Sequence, residues 1–561
     1  VKELIAEMIK SWNEKGEIDN ERLELQYKLA KEIFDKVDEG RLFILNLPTG
    51  IGKTEIFLAP FFYQFKVNDF FAGRMYIVEP THALLTQMRD RVCNHVIGLQ
   101  LDIPVGEDHG DVENPTFLYT APITLTTIDS FAYGFLAKRV NKWWKYGYET
   151  GRYTLPVGLM GNSYIVFDEA HLIQDSVFLS PRVMGKIICN LVNSGAIVVF
   201  SSATLPKALL ERLTRECKKV ENLTVDLNVK RDVKITFNGD KQLTENEIDC
   251  EGNTLVILNT VERARSLYKK LRDKCKNVYI LHSLMAIEDR RKVYDSVKIK
   301  MNNEDDLVLI GTQTLEVGLD FSFEKLYAEI SPIDSLIQRV GRIGRRKEKK
   351  NEKSKEVNAI IFDVENNLPY LDSIIKATKD VLHSSTAYDN LVNSIDTVYD
   401  ENKVKEIEEK GDLFYVEFLE YIENLHLFSY PPEDEVLVRP SNYIIIFILD
   451  DSLIESESDK ELVLRKDGLD DKSLKYSISL VDNHSLKRLT TLLNGRNVYS
   501  YPYEKGGKIH VKKVTTLDRI INNALSIYVR KDDLYDEAGL KVELDKPKSE
   551  SEGKKRRSKK K

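Results

Sequence analysis

A chain of 561 residues exceeds the roughly 250–300 residues one hydrophobic core supports, so several domains are expected. Apolar residues make up 42% and charged residues 30%, which excludes a disordered chain, and no apolar run approaches the ~20 residues of a membrane span, so no membrane partner is expected. The formal charge of −7 excludes a uniformly basic nucleic-acid coat but not a groove with a local positive field.

The opening VKELIAEMIKSWNEKGEI is amphipathic and mixed in charge, unlike a signal peptide. Cysteines 93, 189, 217, 250 and 275 are scattered without a CxxC pair. That spacing argues against a disulfide framework, a zinc ribbon or an iron–sulfur cluster, and makes a cytoplasmic location the default.

Short β-branched runs alternate with helix-length amphipathic segments through the first 365 residues. RLFILNL, RMYIVEP, SYIVFDEA and AIVVFSSA form one set; NTLVILN, NVYILHS, DLVLIGT, KLYAEIS and AIIFDV form a second. Near-continuous apolar runs separated by helices such as VERARSLYKKLRDK predict two parallel sheets covered by helices. The expected division is a first α/β domain over 1–230 and a second over 231–365, followed by a smaller accessory domain over 366–548 and a basic tail, 549–561. That tail, KKRRSKKK, and the cluster RRKEKKNEKSK (345–355) are either solvated charge or phosphate contacts.

RLELQ (22–26) precedes a glycine turn at a distance suiting an adenine reader, Gln26, with Arg22 beside it; a glutamine on an amphipathic helix is the plainer alternative. The turn itself is LNLPTGIGKTEIF (45–57). Gly50, Ile51 and Gly52 let successive N–H groups face phosphate oxygens, Lys53 would reach the outer phosphates, and the Thr54 hydroxyl would ligate Mg²⁺. Leu47 stands where the motif usually has its first glycine, and a strand-to-helix turn with two glycines is the bland alternative. YIVFDEAH (164–171) offers the carboxylates such a turn requires: Asp168 would hold Mg²⁺ through water and Glu169 would polarise the attacking water, a strand ending in a solvated acidic turn being the alternative. Ser202 and Thr204, in AIVVFSSAT, end another strand and could relay nucleotide state; a plain strand end is the alternative.

In the second set, GTQTLEVGLDF (311–321) follows a buried strand. Thr312 and Gln313 would face nucleic-acid phosphates there, and Gly318 and Asp320 the nucleotide. SPIDSLIQRVGRIGRR (331–346) carries Gln338, Arg342 and Arg345; rigid guanidinium groups suit the charge that develops in phosphoryl transfer. An Arg-rich surface turn is the alternative. In NKWWKYGYETGRYTL (141–155), Trp143, Trp144 and Tyr146 would either stack on bases or pack an insertion.

In this order the motifs, over roughly residues 22–346, resemble superfamily 2 helicases. The resemblance implies two RecA-like domains that clamp ATP and Mg²⁺ in the cleft between them. EPTHALLTQM, TLTTIDSF and LHS fall where that family contacts its strand, which assigns Pro80, Thr81, Thr127 and Ser283 to nucleic-acid contact. TQTLEVGLDFSF followed by SPIDSLIQRVGR resembles more closely the CRISPR-associated helicase of type I interference. Relatives often carry an N-terminal nuclease built around a His-Asp dipeptide; none occurs here, and the nine histidines are isolated. The resemblance then implies a stand-alone motor moving 3′→5′ on single-stranded DNA, recruited to a crRNA-guided surveillance complex, with an HD-type nuclease on a separate subunit. An RNA-directed ATPase of the same superfamily, a protein remodeller and a nucleotide-gated scaffold remain open as rival functions.

Overall fold

The computed structural model describes residues 1–12, 19–37, 40–47, 51–80, 82–109, 116–137, 155–169, 181–224, 233–316, 321–344, 357–384, 386–409, 412–428, 444–465, 477–480, 493, 497–514 and 526–541. Chain contacts divide it into two compact units. The first comprises Val1–Asn259, Leu271–Tyr279 and Val297–Pro440; the second comprises Thr260–Lys270, Ile280–Ser296 and Ser441–Lys561.

Seven parallel strands build the first sheet: β1 (Arg41–Asn46), β2 (Met75–Glu79), β3 (Val105–Asp108), β4 (Ile123–Thr127), β5 (Tyr164–Phe167), β6 (Ile197–Ser202) and β7 (Val220–Thr224). Their order is β3-β4-β2-β5-β6-β1-β7. The central strands β2, β5 and β6 are buried along their whole length, as the continuous apolar runs require. This order brings the carboxyl ends of β2, β5, β6 and β1 side by side, the edge where open α/β sheets bind ligands. One face is filled by the helix Lys53–Val67, whose Ile56, Phe57, Leu58, Phe61 and Phe62 are buried with Phe43, Leu45, Ile77 and Val166 of the strands.

A second sheet has the order β10-β11-β9-β12-β13-β8. Its strands are β8 (Lys234–Gln242), β9 (Asn253–Ile257), β10 (Val278–Leu281), β11 (Leu307–Gly311), β12 (Lys325–Glu329) and β13 (Asn358–Asp363). The β11·β9, β9·β12, β12·β13 and β13·β8 pairs are parallel. Helices between Asp372 and Phe428 complete the first unit. The chain thus carries two tandem RecA-like α/β domains and a smaller C-terminal domain. The latter holds a seven-stranded sheet of β14 (Ile444–Leu449), β15 (Ile454–Glu457), β16 (Glu461–Leu464), β17 (Ser477–Leu480), β18 (Tyr499–Lys505), β19 (Lys508–Lys513) and β20 (Ser526–Arg530). It ends in a two-stranded hairpin, β21 (Tyr535–Asp536) and β22 (Gly539–Leu540).

The expectation against disulfides is corrected. Cys189 is bonded to Cys217 and Cys250 to Cys275. The partners lie 28 and 25 residues apart in the chain, too far for a local motif to announce. Packing of the helices Pro181–Asn193 and Lys207–Thr214 brings the first pair together. Among the described residues no helix is long and apolar enough to cross a membrane.

Candidate nucleotide-hydrolysis site

The turn after β1 delivers its residues to the start of the helix Lys53–Val67. Gly52 is its N-cap and is left-handed, φ 86°. A Cβ there would lie 2.2 Å from Gln26 Nε2 and 2.8 Å from an Arg22 guanidinium nitrogen, so only glycine fits both the backbone and the space. Gln26 and Arg22 grip this turn from the helix Asn20–Phe34: Arg22 Nε donates to the Ile51 carbonyl at 2.7 Å, and Gln26 Nε2 donates to the Ile51 and Gly52 carbonyls at 2.9 and 3.2 Å. Gln26 Oε1 is buried and makes no hydrogen bond among the described residues. Thr54 is buried in the first helical turn.

Lys53 Nζ is buried, makes no hydrogen bond among the described residues and lies 4.0 Å from Glu169 Oε2. A buried ammonium in this condition requires anions to justify its desolvation. Asp168 follows β5 and accepts 2.8 Å from Ser201 Oγ of β6, because the parallel register continues from the Phe167–Phe200 pair. Burial, then the Glu169 carboxylate, raises its carboxyl to about 6. Glu169 is left-handed, φ 47°, a backbone state that costs about 1–3 kcal/mol and marks sites where geometry outranks stability.

Sequence reasoning missed Glu79, the last residue of β2. It is fully buried, and neither carboxylate oxygen makes a hydrogen bond among the described residues. Burial first, and then the charges of Asp168 and Glu169, push its carboxyl well above the usual range. Three carboxyl groups therefore stand together, two of them, Asp168 and Glu169, beside Lys53. Such a crowd of carboxyl groups fits a divalent cation with a polyphosphate beside it. No three acidic, His or Cys side chains among the described residues are arranged to hold a metal ion by themselves; Mg²⁺, which keeps waters and phosphate oxygens as ligands, does not need them to be.

The second RecA-like domain meets this edge through the helix Ile333–Val340. Gln338 Nε2 reaches Thr204 Oγ1 at 3.4 Å, and Thr204 N donates to Ser202 Oγ at 3.2 Å. Arg342, four residues after Gln338, is buried. Arg339, also missed, is the fully buried residue that holds the helix down. Its guanidinium donates to Glu316 Oε1 at 2.8 Å, the Glu329 carbonyl at 2.7 Å, Asn259 Oδ1 at 3.0 Å and the Tyr370 hydroxyl at 3.1 Å. Its position beside Gln338 in the run QRVGR was the available signal.

Other expected residues are dispersed. Pro80 is half-buried after β2. Thr127 is a buried N-cap whose Oγ1 accepts from Ser130 N at 3.3 Å. Thr312 is buried and Gln313 donates to the Asn259 carbonyl at 3.1 Å. Ser283 is exposed. Gly50, Thr81, Gly318, Asp320, Arg345, the Trp143–Trp144–Tyr146 stretch and the basic tail lie outside the described residues.

Two parallel-sheet lobes, a glycine turn opening a helix, an acidic pair on a neighbouring strand end and an Arg-bearing helix of the second lobe define a superfamily 2 helicase. Residues 27–213 match the DEAD/DEAH box helicase family and 250–348 match the C-terminal part of the CRISPR-associated nuclease/helicase Cas3. The chain is 40% identical over 562 residues to the CRISPR-associated helicase Cas3 of Thermoproteus tenax, covering 96% of this chain and 95% of that protein. It is 28% identical to a putative CRISPR-associated nuclease/helicase Cas3 of Methanocaldococcus jannaschii, spanning only 54% of that longer protein. The fold matches the crystal structure of T. fusca Cas3 with AMPPNP, with a TM-score of 0.62 at 15% identity, over 84% of this chain and 65% of that one. The chain belongs to the Cas3 family of CRISPR-associated, ATP-dependent helicases.

Proposed function

We propose that the chain is a motor that couples ATP hydrolysis to 3′→5′ movement along single-stranded DNA, with Mg²⁺ at the phosphates. The observation that carries this reading is the Gln338–Thr204 contact. It links the Arg-bearing helix of one lobe to the strand edge that holds Lys53, Asp168 and Glu169 in the other.

In this reading the N–H groups around Gly50, Ile51 and Gly52 cradle the phosphates, and Lys53 neutralises the outermost ones. Gln26 presents its unsatisfied carbonyl to the adenine amino group, with Arg22 fixing the turn. Thr54 and Asp168 would hold Mg²⁺, which supplies charge neutralisation between the phosphates when bound. Glu169 orients the attacking water and takes up its proton. Arg342 and Arg345 bring positive charge to the transferring phosphoryl group, while Gly318 and Asp320 line the nucleotide from the second lobe. The Asp168–Ser201 bond and the Ser202–Thr204–Gln338 contacts give the two lobes a common path for reporting nucleotide state. Strand grip falls to Pro80, Thr81, Thr127, Ser283, Thr312 and Gln313, through phosphates rather than base edges, so binding is sequence-tolerant and salt-sensitive.

The wider setting follows the family. The motor would load onto DNA opened by a crRNA-guided surveillance complex in the cytoplasm, with an HD-type nuclease supplied by another subunit.

The test is ATPase activity with oligo(dT) or oligo(rU), together with strand displacement on tailed duplexes. Stimulation by DNA and unwinding from a 3′ tail are expected. Stimulation by RNA alone would replace this reading with an RNA-directed motor of the same superfamily. Lys53→Ala is expected to abolish turnover while single-strand binding persists.

A further inference from the structure

The second compact unit contains a hairpin, β21–β22, that the motor mechanism above does not use. Segments Thr260–Lys270, which carries most of the helix Val261–Leu271, and Ile280–Ser296 belong by sequence to the second RecA-like region, yet they pack in one unit with the C-terminal sheet. The turn they share with it carries the motif LHS. Within that turn Ser283 is exposed, whereas His282, Leu284, Met285 and Ala286 are all buried. A single side chain is displayed on a turn whose neighbours are inaccessible.

The hairpin of β21 and β22 is what buries them. The Leu540 N–H donates to the Leu284 carbonyl at 2.8 Å. The Ala286 N–H donates to the Tyr535 hydroxyl at 2.9 Å, and that hydroxyl donates to Asp289 Oδ2 at 2.7 Å. His282 Nδ1 accepts from the Leu284 N–H at 3.2 Å, so its proton is on Nε2, which donates to the Ala538 carbonyl at 2.8 Å. Burial lowers this imidazole to about 3, and the ring stays neutral with a fixed tautomer across the physiological range.

Arg265, fully buried on the helix Val261–Leu271, locks the hairpin itself. Its two terminal nitrogens donate to Asp536 Oδ1 and Oδ2 at 2.9 and 2.8 Å, and one also to the Gly539 carbonyl at 2.8 Å. Gly539 adopts φ 88°, and a Cβ there would lie 2.5 Å from the Leu284 carbonyl oxygen and 2.9 Å from His282 Cε1. Leu534, Tyr535 and Leu540 share one apolar core with Leu284, Ala286 and the strands β14 and β20. The Leu540–Leu284, Tyr535–Ala286 and His282–Ala538 contacts bear on the residues flanking Ser283, and Arg265 holds the hairpin that makes them.

We propose that the hairpin 535–540 is a positioning element for nucleic-acid contact: through Arg265, Tyr535 and Gly539 it holds the turn 282–286 in the one conformation that displays Ser283. The proposal rests on the reading of Ser283 as a strand contact. It gives the C-terminal domain a defined task in the motor. Grip on the strand and seating of the hairpin are linked, and by thermodynamic reciprocity a bound strand stabilises the hairpin in return.

The test uses the full chain, with ATP turnover stimulated by oligo(dT). Tyr535→Phe removes one hydroxyl without changing shape, and Gly539→Ala displaces the hairpin. Both should raise the oligo(dT) concentration for half-maximal stimulation, Tyr535→Phe by about tenfold. Strand-free turnover and turnover at saturating oligo(dT) should stay as in the parent. Hydrogen exchange at the Leu284 and Ala286 amides should accelerate in Tyr535→Phe, and slow in the parent when oligo(dT) is added. If Gly539→Ala does not fold, Tyr535→Phe carries the test alone. Ser283→Ala separates the two levels of the argument. Unchanged half-saturation in Ser283→Ala refutes the strand-contact reading. Weakened binding in Ser283→Ala, with parent-like half-saturation or exchange in Tyr535→Phe, overturns the proposal while leaving that reading intact.

Discussion

Two buried ionic clusters, one in each RecA-like domain, obey opposite rules. Around Arg339 the guanidinium is matched to a carboxylate, two carbonyl oxygens and a phenol at 2.7–3.1 Å. Beside Asp168 and Glu169, the Lys53 ammonium and both oxygens of Glu79 are buried without hydrogen bonds among the described residues. Leaving buried polar groups unsatisfied costs folding free energy. A protein tolerates that where something else will satisfy them, so the first cluster reads as scaffold and the second as a receptor.

The sharpest way to break this contrast is to cut the scaffold. Arg339→Ala leaves Glu316 buried without its cation, and should destabilise the second lobe by about 3–5 kcal/mol, read as a fall in the denaturant midpoint. A loss below about 1 kcal/mol would show the network to be ornamental.

The receptor should respond in the other direction. The carboxyl groups of Asp168 and Glu79 are raised in the folded, nucleotide-free protein, so folding holds protons that the unfolded chain would release. Their contribution is complete below the ordinary carboxylate range and is lost as pH rises, for Asp168 through about 6. Asp168→Asn and Glu79→Gln remove that loss. Each should gain stability relative to the parent as pH is raised from about 5 to about 8 without Mg²⁺ or nucleotide, by a few degrees in Tm. A difference that shrinks with pH would mean these groups are ionised and well solvated.

Gln338→Ala should do least to stability, under about 1 kcal/mol, since it removes one long hydrogen bond. Its effect belongs in turnover, as weaker coupling between strand binding and ATP hydrolysis. If coupling is untouched, Thr204–Gln338 is mere contact.

The same contrast explains what could be read in advance. Every strand expected from a β-branched run exists, because a strand buried on both faces leaves an unbroken apolar signature. Lys53, Asp168, Glu169 and Gln338 could be singled out because phosphate chemistry restricts residue type and spacing together; the structure places the first three beside one another, and their part in hydrolysis is the proposal above. Glu79 was not, since a carboxylate ending a strand is unremarkable until the strand order places it beside β5. Arg339 was hidden for the opposite reason: its partners come from positions 259, 316, 329 and 370, which no local pattern joins. The disulfides escaped notice in the same way. The turn at Ser283 was legible only as a motif, and its dependence on residues some 250 positions later was beyond any local pattern.

The account stands or falls on whether the second lobe serves the phosphates gathered by the first. Single-turnover hydrolysis by Arg342→Ala, measured alongside ATP affinity at saturating single strand, asks this directly. ATP affinity within about threefold of the parent, with hydrolysis slowed by about a hundredfold or more, is the predicted result. Hydrolysis at the parental rate in a folded, ATP-bound Arg342→Ala would contradict it.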